Sequence, residues 1–239
     1  MTRRRFIADE VSEDRAALVG EHADHLVRVL RVRVGEDFDI ATGATVRRGR
    51  ISFVGDARVD FDLGEEILSP RLAEITLVLA IFKFDRMEWA IEKCTELGVA
   101  RIVPVIARRT DAHLAAASAK RAERWQRIAR QAAEQSRRAA PPEIAAPIEV
   151  AAALDLPATS RIVLAESEDR ILLRDVVKPH SGEDGIVLAV GPEGGWTEGE
   201  LQSFCESGWT SASLGNTILR VETAAIAAMA VVASALYSI

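Results

Sequence analysis

The chain of 239 residues is 49% hydrophobic and 28% charged, a soluble globular composition long enough for one large domain or two modest ones. Its two cysteines, Cys94 and Cys205, lie far apart and outside any CxxC spacing; this excludes a disulfide framework and a cysteine zinc site and suits a cytoplasmic protein. The net charge of −6 is segregated, with −3 over residues 1–70, +6 over 71–140 and −9 over 141–239; a basic middle between acidic flanks suggests an anionic partner for one surface.

The first residues, "MTRRRFIADEVSED", are charged without an apolar core, so no signal peptide is expected. "EHADHLVRVLR" reads as a short helix. From about residue 35 to 68, the runs "EDFDIATG", "TVRRGRISFVG" and "ARVDFDLG" alternate with glycine turns, which predicts a small all-β unit. "LSPRLAE" reads as a linker, Ser-Pro being a turn signal. From Glu74 the pattern becomes α/β. "EITLVLAIF" is an apolar strand. "DRMEWAIEKCTELG" is a helix that Asp85 can cap and Gly98 can end. "ARIVPVIA" is the next strand, and "SAKRAERWQRIARQAAEQSRRA" is a long helix that Pro141-Pro142 stops. "RIVLAES", "GIVLAVG" and "SASLG" are further strands, the last two leading into helices. This alternation implies a parallel sheet with helices on both faces. The final "AAIAAMAVVASALYSI" is too short to span a bilayer and reads as a buried terminal helix.

Two loops could carry chemistry. In "VLAVGPEGGWTEGE" an apolar strand runs into Gly191, Pro192, Glu193, Gly194 and Gly195, and Thr197 with Glu200 forms a capping box for the helix that follows. A loop at the carboxyl end of a strand is where open α/β sheets bind ligands. This one lacks the Lys-Ser/Thr pair of a phosphate loop, and Glu193 would repel a phosphate, so a neutral or cationic ligand fits better. The second loop is "SLGNTILRVETAAIAAMA". Arg220 is the only Lys or Arg after Lys178. Between an apolar strand and an apolar helix it is either a buried ion-pair partner or a functional cation. Glu222 suits the start of the last helix.

The basic middle offers Lys83, Arg86 and Lys93 around the first α/β helix, Arg108 and Arg109 at a strand end, and a series of Lys and Arg along the long helix, whose apolar side is Trp125, Ile128, Ala129 and Ala132. The four histidines show no metal-binding spacing, and no GxSxG elbow is present.

"VGPEGGWTEGE" followed by "LGNTILRVETA" resembles the SPOUT methyltransferases, and specifically the RsmE family, which methylates N3 of a uridine in 16S ribosomal RNA. "HLVRVLRVRVGEDF", "KFDRMEWAIEKCTELGV" and "EQSRRAAPPEI" extend the resemblance over nearly the whole chain. It implies a PUA-like β-barrel that binds RNA over residues 1–70 and a SPOUT α/β methyltransferase domain over 73–239. It also implies a C-terminal trefoil knot, a homodimer, and 16S rRNA as substrate within the 30S subunit, with no metal.

The cofactor implied is S-adenosylmethionine (SAM), with S-adenosylhomocysteine as product. Its walls are expected at Leu164, Ala165 and Glu166; at Val190, Gly191, Pro192, Glu193, Gly194 and Gly195; and at Leu214, Gly215, Asn216, Ile218, Leu219, Arg220, Thr223 and Ala224. Asn216-Thr217 stands where Pro-Arg is common in the family. Arg220 and Glu222 are the catalytic candidates. RNA contacts are expected at Arg3, Arg4, Arg5, His25, Arg28 and Arg31, and at Lys83, Arg86, Lys93, Arg109, Arg137 and Arg138. The alternatives are a SPOUT enzyme with another RNA target and a non-catalytic RNA-binding assembly factor.

Overall fold

The structure is a computed structural model that describes residues 4–43, 45–68, 73–177 and 185–236. The chain divides into two compact units, one of residues 1–71 with 133–141 and one of 72–132 with 142–239.

The first unit is built from β1 (Arg5–Ile7), β2 (Glu10–Val11), β3 (Arg15–Val19), β4 (Asp37–Ala41), β5 (Val46–Gly55) and β6 (Arg58–Ile67). These form one sheet in the order β1-β4-β5-β6-β3-β2. The end strands β1 and β2 are consecutive in sequence. Ala8 N–H donates to Ala41 O and Asp9 N–H to Ala17 O, each at 2.9 Å, so the bent segment from Arg5 to Val11 links both edges of the sheet and closes the ring. Closure removes the open edges that would invite pairing with another chain.

Inward residues alternate along the strands, and Phe61, Ile40, Ile51, Val59 and Leu18 form the core. A short helix α1 (Glu21–Asp24) runs into a π-helical turn, His25–Leu30, which ends at Arg31 in the left-handed region (φ 53°). Residues 133–141 belong to this unit too: Ala133 and Ala139 pack with Ile7, Ala41 and Val46, and Ile7 N–H donates to Glu134 at 3.2 Å.

The second unit alternates strands and helices: β7 (Ile75–Ala80), α2 (Phe84–Glu96), β8 (Arg101–Ile106), α3 (Ala112–Ser118), α4 (Ala122–Gln135), β9 (Glu143–Ile144), β10 (Ile148–Glu149), α5 (Val150–Ala153), β11 (Ser160–Leu164), α6 (Leu173–Val176), β12 (Ile186–Val190), α7 (Glu198–Glu206), β13 (Thr210–Ala212) and α8 (Val221–Leu236). The sheet order is β10-β8-β7-β12-β11-β13, with β9 also on β8, and every pairing is parallel.

Two apolar layers cover the sheet. Ile75, Leu77, Leu79, Met87, Ile91 and Met229 lie in one, and Val78, Val103, Val187, Phe204 and Trp209 in the other. The α/β architecture expected from the strand–helix alternation is thus observed. Among the described residues no helix is long and apolar enough to cross a membrane, and no cluster of ligating side chains could hold a metal ion.

Three local expectations are corrected. Asp85 does not cap α2; the cap position is Lys83, and Asp85 lies inside the first turn. The long helix is broken: α3, capped by the Asp111 carboxylate, passes through a 3-10 turn into α4. Finally, α4 ends at Gln135, not at the prolines, because Arg137 adopts a positive φ of 59° and breaks the helical path.

The apolar side read for this helix is nonetheless the packed one. Trp125 and Ala129 are fully buried, and Trp125 meets Phe84 of α2 edge-on at 6.0 Å. Arg124 grips Glu88 of α2 with two bonds of 2.6 and 2.7 Å, while Arg121 lies 4.7 Å over the Phe84 ring. Part of the basic helix is therefore spent on holding α4 to α2.

The cysteines differ in reactivity. Burial pushes the Cys94 thiol up to about 12, whereas Cys205 is exposed on α7. A thiol reagent at neutral pH should label one cysteine per native chain and a second only on unfolding. Rapid labelling of both would contradict the buried placement of Cys94.

Candidate functional site

Because the sheet is parallel, each strand delivers its following loop to the same edge. β12, β11 and β13 are neighbours, so the loops 191–197, 165–172 and 213–220 emerge side by side. These contain the three expected cofactor walls. The loop after β7, which starts α2, and the loop after β8 open on the same edge. Ligand sites of open α/β sheets lie at this end of the strands.

The glycine loop is held from several directions. Gly195 N–H closes a turn onto Pro192 O at 2.8 Å, with Gly195 at φ 67°. Trp196 turns inward, only 6% exposed, and its indole N–H donates to Leu164 O at 3.1 Å, tying this loop to the end of β11. Gly191 suits that placement: a Cβ there would sit 3.1 Å from the indole nitrogen and crowd it. Phe204 stacks edge-on against Trp196 at 5.0 Å, and Trp209 continues the stack at 4.9 Å. Arg109, from the loop after β8, donates to the carbonyls of Gly194 (2.6 Å) and Trp196 (3.2 Å). The Thr197–Glu200 capping box is present, and Glu200 also accepts from Arg108 N–H at 2.8 Å.

The third wall is tied in through backbone bonds. Ala165 N–H donates to Ala212 O at 3.0 Å, and Leu173 and Ser213 N–H groups bond across to Ser213 and Ile171 carbonyls. Gly215 has φ 125°. Gly215, Asn216 and Ile218 are exposed, Ile218 at 84%, while Leu214 and Leu219 are half-buried. Leu164, Ala165, Val190 and Pro192 are buried; Glu166, Glu193, Gly194 and Thr223 are exposed.

The two catalytic candidates have opposite settings. Arg220 is exposed and its guanidinium makes no ion pair or hydrogen bond among the described residues; only its carbonyl is used, accepting from Ala224 N–H at 2.8 Å at the start of α8. Glu222 is 4% exposed. Its Oε1 lies 3.7 Å from Arg86 Nε, and its buried Oε2 has no hydrogen-bond partner. Arg86 also reaches Glu193 at 3.4 Å.

The residues expected to touch RNA fall into two groups. Arg4, His25, Arg31 and Lys83 are exposed, and among the described residues Arg28 is held only by Asp24, at 3.6 Å. Arg3 lies outside the described residues. The others, Arg137 apart, are buried or engaged within the protein. Arg5 donates to the carbonyl of Arg137, and burial draws its guanidinium below the ordinary value despite the opposing pull of Asp39. Arg137 is itself exposed. Lys93 is held by Glu92 and Glu96 at 2.7 and 2.8 Å. Arg138 is buried. Arg86 and Arg109 face the glycine loop. The sequence reading missed Trp196 and the loop-holding positions of Arg86 and Arg109. The only signal for the first was an indole directly after the glycines.

The donor set fits an adenosyl cofactor. The rim offers glycine backbone, apolar side chains and carboxylates, and Glu193 is unsuited to a phosphate.

The family model of the RNA methyltransferase domain matches residues 69–233. The chain is 33% identical over 237 residues to the ribosomal RNA small subunit methyltransferase E of Synechocystis sp., covering 96% of this chain and 77% of that protein. It is 32% identical to the Rickettsia conorii protein of the same name, covering 95% and 93%. Among solved structures, the ribosomal RNA small subunit methyltransferase E of Neisseria gonorrhoeae bound to S-adenosyl methionine superposes with a TM-score of 0.84 at 33% identity, covering 96% of both chains. A Legionella pneumophila protein in complex with the bound cofactor SAM superposes at 0.87 with 28% identity, covering 98% of both chains.

Proposed function

The chain belongs to the ribosomal RNA small subunit methyltransferase E family, and on that footing we propose that it methylates N3 of a uridine in 16S rRNA with SAM as donor. The observation that carries the reading is the convergence of the two motif loops and the end of β11 on one edge of the parallel sheet, fastened by the Trp196–Leu164 bond. Residues 1–70 serve as the PUA-like RNA-binding domain and 73–239 as the SPOUT domain with its trefoil knot. The enzyme acts as a homodimer on the 30S subunit.

When bound, SAM supplies an electrophilic methyl group. The chain's share is alignment and charge. Backbone groups of the three loops orient the donor. Uracil N3 must lose its proton, and negative charge then spreads onto O2 and O4. Arg220, exposed and without an ion pair among the described residues, is the cation assigned to stabilise that charge. Glu222 is shielded from solvent and within reach of Arg86, so as it stands it shapes the site and does not meet substrate directly. The test is labelled SAM with 30S subunits from a strain lacking the modification, with naked 16S rRNA in parallel. Label at uridine N3 is expected; labelling at another nucleotide would replace the substrate assignment, and SAM binding without transfer would favour an assembly factor.

RNA affinity is expected to fall with salt, by about 0.7–0.9 in the log–log slope for each phosphate contacted. Lys83→Ala should shorten that slope by about one contact, because its ammonium is exposed and forms no ion pair among the described residues. Lys93→Ala should change it less, since two carboxylates already hold Lys93. Equal effects of the two substitutions would refute this division.

A further inference from the structure

We propose that Arg86 is a positioning residue that joins the two cofactor loops, and not a phosphate contact; the proposal rests on the SAM reading of those loops. Arg86 stands in the first turn of α2, which follows β7. β7 is the neighbour of β12, so the start of α2 lies beside the glycine loop. One guanidinium there reaches both motif glutamates: Nη1 is 3.4 Å from Glu193 Oε1, and Nε is 3.7 Å from Glu222 Oε1. Glu193 belongs to the glycine loop and Glu222 to the first turn of α8, directly after the second loop. The planar fork of an arginine can serve two carboxylates at once, which a lysine ammonium on a flexible stem does less well.

The burial of Glu222 argues that this arrangement serves binding and not stability. Its carboxylate is nearly inaccessible, yet one oxygen is left without a partner. A buried ion pair with an unmet acceptor costs free energy relative to an apolar side chain of the same size. Arg86 and the partial positive charge at the start of α8 face this carboxylate. The carboxylate in turn fixes Arg86 where Glu193 can be held. The contact distances are those of ion pairs and not of short hydrogen bonds, so the joint aligns the loops without locking them.

The experiment is calorimetric SAM titration of Arg86→Gln, Arg86→Lys, Glu193→Gln and the Arg86→Gln/Glu193→Gln double variant of the full chain, with RNA binding measured against salt. Arg86→Gln should weaken SAM about tenfold, the scale of one partly exposed charge contact. Its RNA affinity and salt slope should stay as in the wild type. Arg86→Lys should recover part of the loss, and the double variant should bind SAM no worse than Arg86→Gln alone. Thermal unfolding of Arg86→Gln and Arg86→Lys near the wild-type midpoint shows that the affinity change is not a folding defect. Wild-type SAM affinity in Arg86→Gln overturns the proposal, as does a salt slope shortened by one contact with SAM binding intact. A wild-type chain that binds no SAM overturns the cofactor reading and the proposal with it.

Discussion

Arg220→Ala is expected to lower the methyl-transfer rate by about 10²- to 10³-fold, the usual consequence of removing one preorganised donor from a developing oxyanion. SAM affinity should change little, because the walls of the site are set by backbone turns and by Trp196, none of which uses the Arg220 guanidinium. Stability should also hold within about 0.5 kcal/mol, since the side chain is exposed and without a protein partner among the described residues. In water such a charge is strongly screened. It gains strength only when RNA covers the loop and excludes solvent. Arg220→Lys keeps the charge but loses the planar fork, so it should fall between wild type and alanine. The measurement is single-turnover transfer at saturating SAM and RNA. Normal turnover in Arg220→Ala with normal SAM binding would remove the role assigned to it.

Elements with strong local signals were legible in the sequence. The run "EITLVLA", short and rich in β-branched and apolar residues, reads as a strand buried on both faces, and Thr197 with Glu200 fixes the start of α7 by reciprocal bonds that need no tertiary partner. The same holds for the two motif loops, whose glycines sit where an apolar strand stops.

What escaped depends on distant partners. The strands β1 and β2 are three and two residues long and exist because β4 and β3 accept them. α4 stops at Gln135 because Arg137 takes a left-handed turn, a conformation that neither Pro141 nor Pro142 signals. The charge count misled in a similar way. Arg124 and Lys93 raise the positive total of the middle segment, yet Glu88 of α2 holds the first, and Glu92 and Glu96 of the same helix hold the second. Arg86 and Arg109 likewise sit at the glycine loop, a location fixed by sheet order and not by spacing.

Trp196 shows how one side chain sets both stability and site, and its replacement is the other large effect expected. The indole is 6% exposed, stacked on Phe204 and in contact distance of Gly191. Trp196→Ala should destabilise the chain by about 3–5 kcal/mol, the range for removing a large buried aromatic. The loss should reach function as well, because the indole N–H is what fastens the glycine loop to Leu164 O. Trp196→Phe separates the two effects. The ring keeps most of the packing against Phe204, while Leu164 O loses its donor at a cost of about 1–3 kcal/mol. SAM affinity should therefore fall in Trp196→Phe under conditions where the protein is still fully folded, as urea unfolding and calorimetric titration would show. If Trp196→Phe kept both wild-type stability and wild-type SAM affinity, the glycine loop would have to owe its position to the Arg109 bonds at Gly194 and Trp196, and the Arg109→Ala variant would then carry the loss instead.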